Sequence, residues 1–173
     1  MAFKKDFRKH PNQRVGVFVD VQNMYYSAKN LFDGGKVDFG QVLSAAVSGR
    51  QLIRALAYVI RADVGEEEAF YEALQKQGYE VMAKELQVFA GGAKKGDWDV
   101  GLAIDAIRAA DKLDTIVLVS GDGDYAPLVD YLQNNKGCRV EVVAFEKTCS
   151  GKLIEEADDF LDIESDTKRF LIK

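Results

Sequence analysis

Carboxylates placed at the ends of apolar runs are the residues that offer this chain its chemistry. The run Ile116-Val117-Leu118-Val119 breaks at Ser120-Gly121 into Asp122 and Asp124, and the run Val15 to Val19 finishes on Asp20. Asp97 and Asp99 flank Trp98, where the Gly-rich basic loop Ala90 to Asp97 gives way to a helical pattern. Asp20, Asp99, Asp122 and Asp124 are therefore four acids whose positions can converge. Such hard oxygen donors suit Mg²⁺ or Mn²⁺, which keeps several waters and is held by few carboxylates. Clustered like charges without a cation are costly. Each acid alone has a plainer use: Asp97 and Asp99 complement a helix N-terminus, and Asp122 and Asp124 flank Gly123 in a turn. The four together, with Asn23 close to Asp20, favour the metal reading.

The elements that must position these acids follow from the apolar pattern. Val15 to Asp20 and Ile116 to Val119 read as buried parallel strands. The segment from Asn23 to Phe32 has helical spacing, with Asn23 expected at its cap and Asp33-Gly34-Gly35 as its stop. Asp38 followed by Gln41 resembles a capping box opening a helix through Val47, ended by Gly49. Leu52 to Ile60 is a second strand, Glu66 to Gln77 a helix stopped by Gly78, and Tyr79 to about Phe89 a third strand. The helix from about Trp98 to Lys112 is expected to bury a stripe of Val100, Ala103, Ile104, Ile107 and Ala110. Helices near Ala126 to Asn134 and Gly151 to Ala157 bracket a fifth strand, Arg139 to Phe145. This alternation predicts an α/β fold, a parallel sheet with helices on both faces and right-handed crossovers. Two strands then deliver acids to one sheet edge, where open α/β sheets bind ligands.

A chain of 173 residues, 47% hydrophobic and 29% charged, describes one domain with a sizeable core. No stretch reaches 18 continuous apolar residues, and no apolar segment follows the basic N-terminus, so neither a membrane span nor a signal peptide is expected. Cys138 and Cys149 lack metal-ligand spacing, which fits a reduced, cytoplasmic setting. The net charge is −5, yet residues 155–166 hold seven acids and no Lys or Arg, leaving +2 on the rest. At the N-terminus Lys4, Lys5, Arg8, Lys9 and Arg14 against Asp6 give +4 over residues 1–14, either a solvated terminus with no role, the plainer reading, or an arm for phosphate contacts. The charge is segregated and permits a nucleic-acid partner.

Three motifs stand in order: Asp20-Val21-Gln22-Asn23 after a strand, Lys95-Gly96-Asp97-Trp98-Asp99-Val100-Gly101-Leu102-Ala103-Ile104-Asp105, and Ser120-Gly121-Asp122-Gly123-Asp124-Tyr125 with Pro127-Leu128-Val129. They resemble the NYN domain of LabA-like bacterial proteins, within the PIN-like nuclease superfamily, over a domain of residues 15–163 with 164–173 as a tail. The resemblance implies a three-layer α/β/α sandwich on a mostly parallel five-stranded sheet. It also implies a metal-dependent ribonuclease-type site with Asp20, Asp99, Asp122 and Asp124 at the family's acidic positions and Asn23 at its recurrent Asn. Asp105 matches a further family position but lies about 120° from Asp99 around a helix axis, so it stands in a second tier with Asn23, Ser120 and Asp97. Asp158 reads as structural support near the family's ending.

The chemistry so implied is hydrolysis of an RNA phosphodiester, with Mg²⁺ or Mn²⁺ lowering the pKa of a bound water and offsetting charge on the leaving oxygen. Ser120 either orients a water or ligand or shapes the turn. Lys94 and Lys95 are placed either to meet substrate phosphates or to form a solvated loop. Tyr25, Tyr26 and Trp98 are placed either to stack on unpaired bases or to fill the core. His10, the only histidine, lies in the arm and is given no catalytic part. A haloacid-dehalogenase-like phosphatase would need a second acid where Gln22 stands. The stronger alternative is a non-catalytic module that binds RNA or a protein partner in gene regulation, and a homodimer is compatible with either.

Overall fold

The computed structural model describes residues 9–62, 67–92 and 94–172, and for Lys94 and Lys95 the backbone alone. The main elements in order are β1 (Arg14–Asp20), α1 (Val21–Leu31), α2 (Phe39–Val47), β2 (Gln51–Arg61), α3 (Glu67–Lys76), β3 (Glu80–Glu85), α4 (Asp99–Ala110), β4 (Thr115–Val119), α5 (Ala126–Asn134), β5 (Arg139–Ala144), α6 (Gly151–Glu156), β6 (Asp159–Asp162) and α7 (Thr167–Phe170). The six strands form one sheet in the order β3-β2-β1-β4-β5-β6, and every pairing in it is parallel. The expected α/β sandwich is thus present, with six strands rather than five.

The extra strand is β6, which Asp159 and Asp162 disguised among the terminal acids. Those acids serve backbone groups: Asp158 accepts from the Val140 N–H at 2.8 Å, and Asp162 accepts from the N–H groups of Glu146 and Glu164 at 3.1 and 2.9 Å. Beyond it the chain folds back, burying Phe170 and pairing Leu171–Ile172 antiparallel with Lys36–Val37. The expected third strand stops at Glu85, and Gln87–Val88 instead pairs antiparallel with Lys94–Lys95 across a turn in which Gly91 and Gly92 take φ of 100° and 85°.

Strand alternation builds a core on each face. Val15, Val17 and Val19 pack with Met24, Val42, Leu43 and Leu74 from α1, α2 and α3, while Phe18 turns the other way to meet Leu102, Ala106, Leu128, Leu132 and Leu153 from α4, α5 and α6. Gly16 shares the second face, where a Cβ would stand 2.5 Å from a Leu113 methyl. The α4 stripe differs from the expected one. Leu102, Ala106 and Ala110 are buried, whereas Val100 is 71% and Ile104 43% exposed. Asp99 lies three residues before Leu102 on that same buried face, so the packing of α4 aims Asp99 at the sheet edge.

Candidate metal centre at the strand-order reversal

The strand order runs outward in both directions from β1 and β4, and Asp20 ends β1 while Ser120-Gly121-Asp122 follow β4. That reversal leaves a crevice beyond the C-terminal strand ends, where no crossover covers the edge. Asp20, Asp99 and Asp122 meet there, each offering a carboxylate oxygen within 4.8 Å of the others. They line a cleft of about 360 Å³ together with Asn23, Asp97 and Trp98.

Local geometry explains how each is held. Asp20, rather than Asn23, caps α1, accepting from the Asn23 N–H at 3.2 Å. The Asn23 side chain is thereby free to accept from the Gly121 N–H at 3.0 Å, tying the start of α1 to the turn after β4. Fully buried Ser120 donates to Asp20 Oδ2 at 3.4 Å and accepts from the Asp122 N–H at 3.2 Å. Asp122 in turn accepts from the Asp124 N–H at 2.9 Å. Asp97 accepts from the Asp99 N–H at 3.3 Å, a local turn at the cleft wall that leads into α4.

Two residues hold this arrangement that the sequence did not single out for it. The Tyr125 hydroxyl lies 3.1 Å from Asp99 Oδ1 and 3.5 Å from Asp20 Oδ2, buried beneath the acids. Trp98 donates its indole N–H to the Val59 carbonyl at 2.9 Å and lays its ring so close to Gly101 that a Cβ there would stand 2.6 Å away. The only available signals were their positions inside the acidic motifs and the Gly three residues after Trp98. Trp98 also packs against Tyr58 at 5.3 Å and lies 5.3 Å from the Lys84 ammonium, so, with its indole N–H committed, it anchors α4.

Not every expected acid joins. Asp124 is exposed and lies outside the trio, because the tight turn Gly123–Tyr125 carries it two residues past Asp122 to the outer side. Asp105 is held by the Tyr58 hydroxyl at 2.8 Å, on a different side of α4 from Asp99. The side chains of Lys94 and Lys95 lie outside the described residues, as do Lys4, Lys5 and Arg8 of the arm. Lys9 and Arg14 are described and face the chain's own acids, Arg14 at 3.1 Å from Asp114. The arm therefore joins β1 at the end opposite the cleft, about 20 Å away along seven residues of strand.

Electrostatics agree with a site built for a cation. Burial pushes the Asp20 carboxyl up to about 6 against the hydrogen bonds from Asn23 and Ser120, and the neighbouring charges of Asp99 and Asp122 add to the rise. Asp99 is raised as well, chiefly by burial and less by Asp122, Asp97 and Asp124, against the Tyr125 hydrogen bond. Among the described residues no Lys or Arg forms an ion pair with any of the three. Three oxygens about 2.0–2.1 Å from one octahedral Mg²⁺ stand about 2.9–4.2 Å apart. The three carboxylates, within 4.8 Å of one another, close to that spacing by side-chain rotation, and their hard oxygen donors fit a divalent ion.

Comparison with known proteins bears on the family and the fold. The family model of the NYN domain matches residues 14–164. The chain is 27% identical over 168 residues to the low amplitude and bright protein LabA of Synechococcus elongatus, covering 92% of this chain and 88% of that one. It also resembles the crystal structure of a Vibrio parahaemolyticus protein of unknown function, with a TM-score of 0.85 and 34% identity over 96% of this chain and all of that one.

Proposed function

The chain belongs to the NYN domain family, of the PIN-like nuclease superfamily, and from that premise we propose that it is a divalent-metal-dependent ribonuclease cleaving RNA phosphodiester bonds. The observation that carries the proposal is the convergence of Asp20, Asp99 and Asp122 within 4.8 Å, with no basic partner among the described residues. These three would hold Mg²⁺ or Mn²⁺. When bound, such an ion supplies an activated water and a counter-charge for the leaving oxygen.

The chain's own part is positional. Ser120 fixes Asp20 against the turn that carries Asp122, and the Tyr125 hydroxyl holds Asp99 toward Asp20. Asn23 locks the backbone between the two strand ends. Asp97 holds the turn that leads into α4. No side chain is required as a covalent nucleophile, and Lys94 and Lys95 are assigned to substrate phosphates.

The test is cleavage of generic single-stranded RNA with Mg²⁺ or Mn²⁺, with RNA binding measured in parallel. Slow cleavage silenced by both a chelator and Asp20→Asn, with affinity little changed, is the expected result. Wild-type protein that binds RNA yet leaves it intact across a panel of divalent ions would replace this reading with a non-catalytic RNA-binding module.

A further inference from the structure

A larger cleft of about 640 Å³ adjoins the carboxylates, and Gln22 and Tyr26 line both. Its walls include Tyr25 and Tyr26 of α1, Phe70 of α3, Ile60 of β2 and Gly96. Packing does not account for the two tyrosines. The buried face of α1 is Val21, Met24, Ser27 and Ala28, while Tyr25 is 47% and Tyr26 50% exposed. Neither phenol oxygen has a hydrogen-bond partner among the described residues. Their rings meet edge to face at 5.4 Å and 77°, and the Lys29 ammonium lies 5.9 Å from the Tyr25 ring centre. Phe70 is 38% exposed across the cleft.

We infer that this aromatic cleft is a base-binding subsite, which takes the unpaired nucleobase of a nucleotide next to the phosphodiester held at Asp20, Asp99 and Asp122. The inference rests on the ribonuclease reading of that carboxylate cleft. Three features point to a nucleobase. The shared wall at Gln22 and Tyr26 makes the aromatic cleft continuous with the carboxylate cleft. The volume falls in the range that encloses drug-sized ligands, enough for a nucleoside. Exposed aromatic rings bind any base through its π-face, without sequence readout. The backbone of Gly96 closes the floor: a Cβ there would stand 2.9 Å from both Ile60 and Leu86. The Glu67 carboxylate at the rim is taken up by the Tyr71 hydroxyl at 3.1 Å and the Ala62 N–H at 3.3 Å. A base inside a duplex cannot enter such a cleft, so the subsite selects single-stranded RNA.

The experiment uses a fluorescein-labelled RNA decamer in three forms: single-stranded, annealed as a duplex, and single-stranded with abasic positions. Affinity is measured by anisotropy in chelator for wild type, Tyr25→Leu/Tyr26→Leu and Tyr25→Phe/Tyr26→Phe; cleavage and Mn²⁺-induced melting shifts are measured separately. The Leu pair should lose about 5- to 150-fold in affinity for the single strand, lose the preference over duplex and abasic RNA, and keep the Mn²⁺ shift. The Phe pair should bind within about twofold of wild type, since the hydroxyls make no bond to lose. A Leu pair that binds and discriminates as wild type does, in a protein that still cleaves RNA, overturns the base subsite and leaves the ribonuclease reading standing. Wild-type protein that neither binds nor cleaves the decamer overturns both.

Discussion

Two carboxylates of the same sheet, one buried and one half-buried, meet opposite electrostatic fates. Glu141, low in β5, receives a bidentate Arg50 at 2.8 and 3.0 Å and Arg139 at 2.8 Å. Burial alone would raise its pKa, but the Arg50 and Arg139 hydrogen bonds and the charges of Arg50 and Lys9 outweigh it, and the carboxyl stays below its usual range. Asp20, at the C-terminal end of β1, is surrounded by further acids and by neutral donors, and it is pushed up to about 6. The chain supplies counter-charge where it needs a stable framework. At the strand-order reversal no described residue supplies it, which is what a site for an external cation requires.

Breaking the Glu141 side should have the largest effect on stability. Arg50 is buried, so Arg50→Ala leaves a buried carboxylate short of its main partner and is expected to cost about 3–5 kcal/mol. Chemical denaturation should show that loss while the Mn²⁺-induced shift persists; a cost near zero would mean that Arg139 and Lys9 suffice.

Asp20 should show the opposite sign. Its folded pKa lies above the unfolded value, so between about pH 4 and pH 6 the folded metal-free protein binds more protons and its stability falls as pH rises, levelling off above 6. The full effect is at most about 3 kcal/mol for a shift of about two units. In chelator, Asp20→Asn should therefore melt higher than wild type at pH 7.5, and the gap should close toward pH 4. A variant that melts lower at pH 7.5 would place Asp20 with Glu141 as a framework acid.

The supporting hydrogen bonds come next. Tyr125→Phe and Ser120→Ala should each weaken Mn²⁺ affinity by about 10- to 100-fold, as loss of groups that orient ligands does, measurable by calorimetric titration. Asp124→Asn should change that affinity least, by less than about twofold, because Asp124 stands outside the trio. An effect equal to that of Asp122→Asn would restore it as a fourth ligand.

Much of this was legible because strand and acid are adjacent in sequence: β1 ending on Asp20, and β4 ending on Ser120-Gly121-Asp122, need no long-range information. Strand order is a long-range property, and no local pattern states that β1 and β4 are neighbours. The helix α4 misled because Val100 and Ile104 repeat with the same period as Leu102, Ala106 and Ala110. Trp98 against Gly101 and Val59 decides which set is buried, and that contact spans 39 residues. Helical spacing already set Asp105 about 120° from Asp99, but its partner Tyr58 comes from β2 and was not legible in that spacing. β6 was hidden because Asp159 and Asp162 look like solvated charge until their backbone and capping duties are visible.

Mn²⁺ soaked into crystals of the wild-type protein and located by its anomalous scattering tests the central claim most directly. The account predicts a peak bounded by Asp20, Asp99 and Asp122, with ligand distances near 2.1–2.2 Å, absent in Asp122→Asn crystals soaked in the same way. A wild-type crystal with no peak there at saturating Mn²⁺, or with the ion bound elsewhere and the three acids undisturbed, would contradict it.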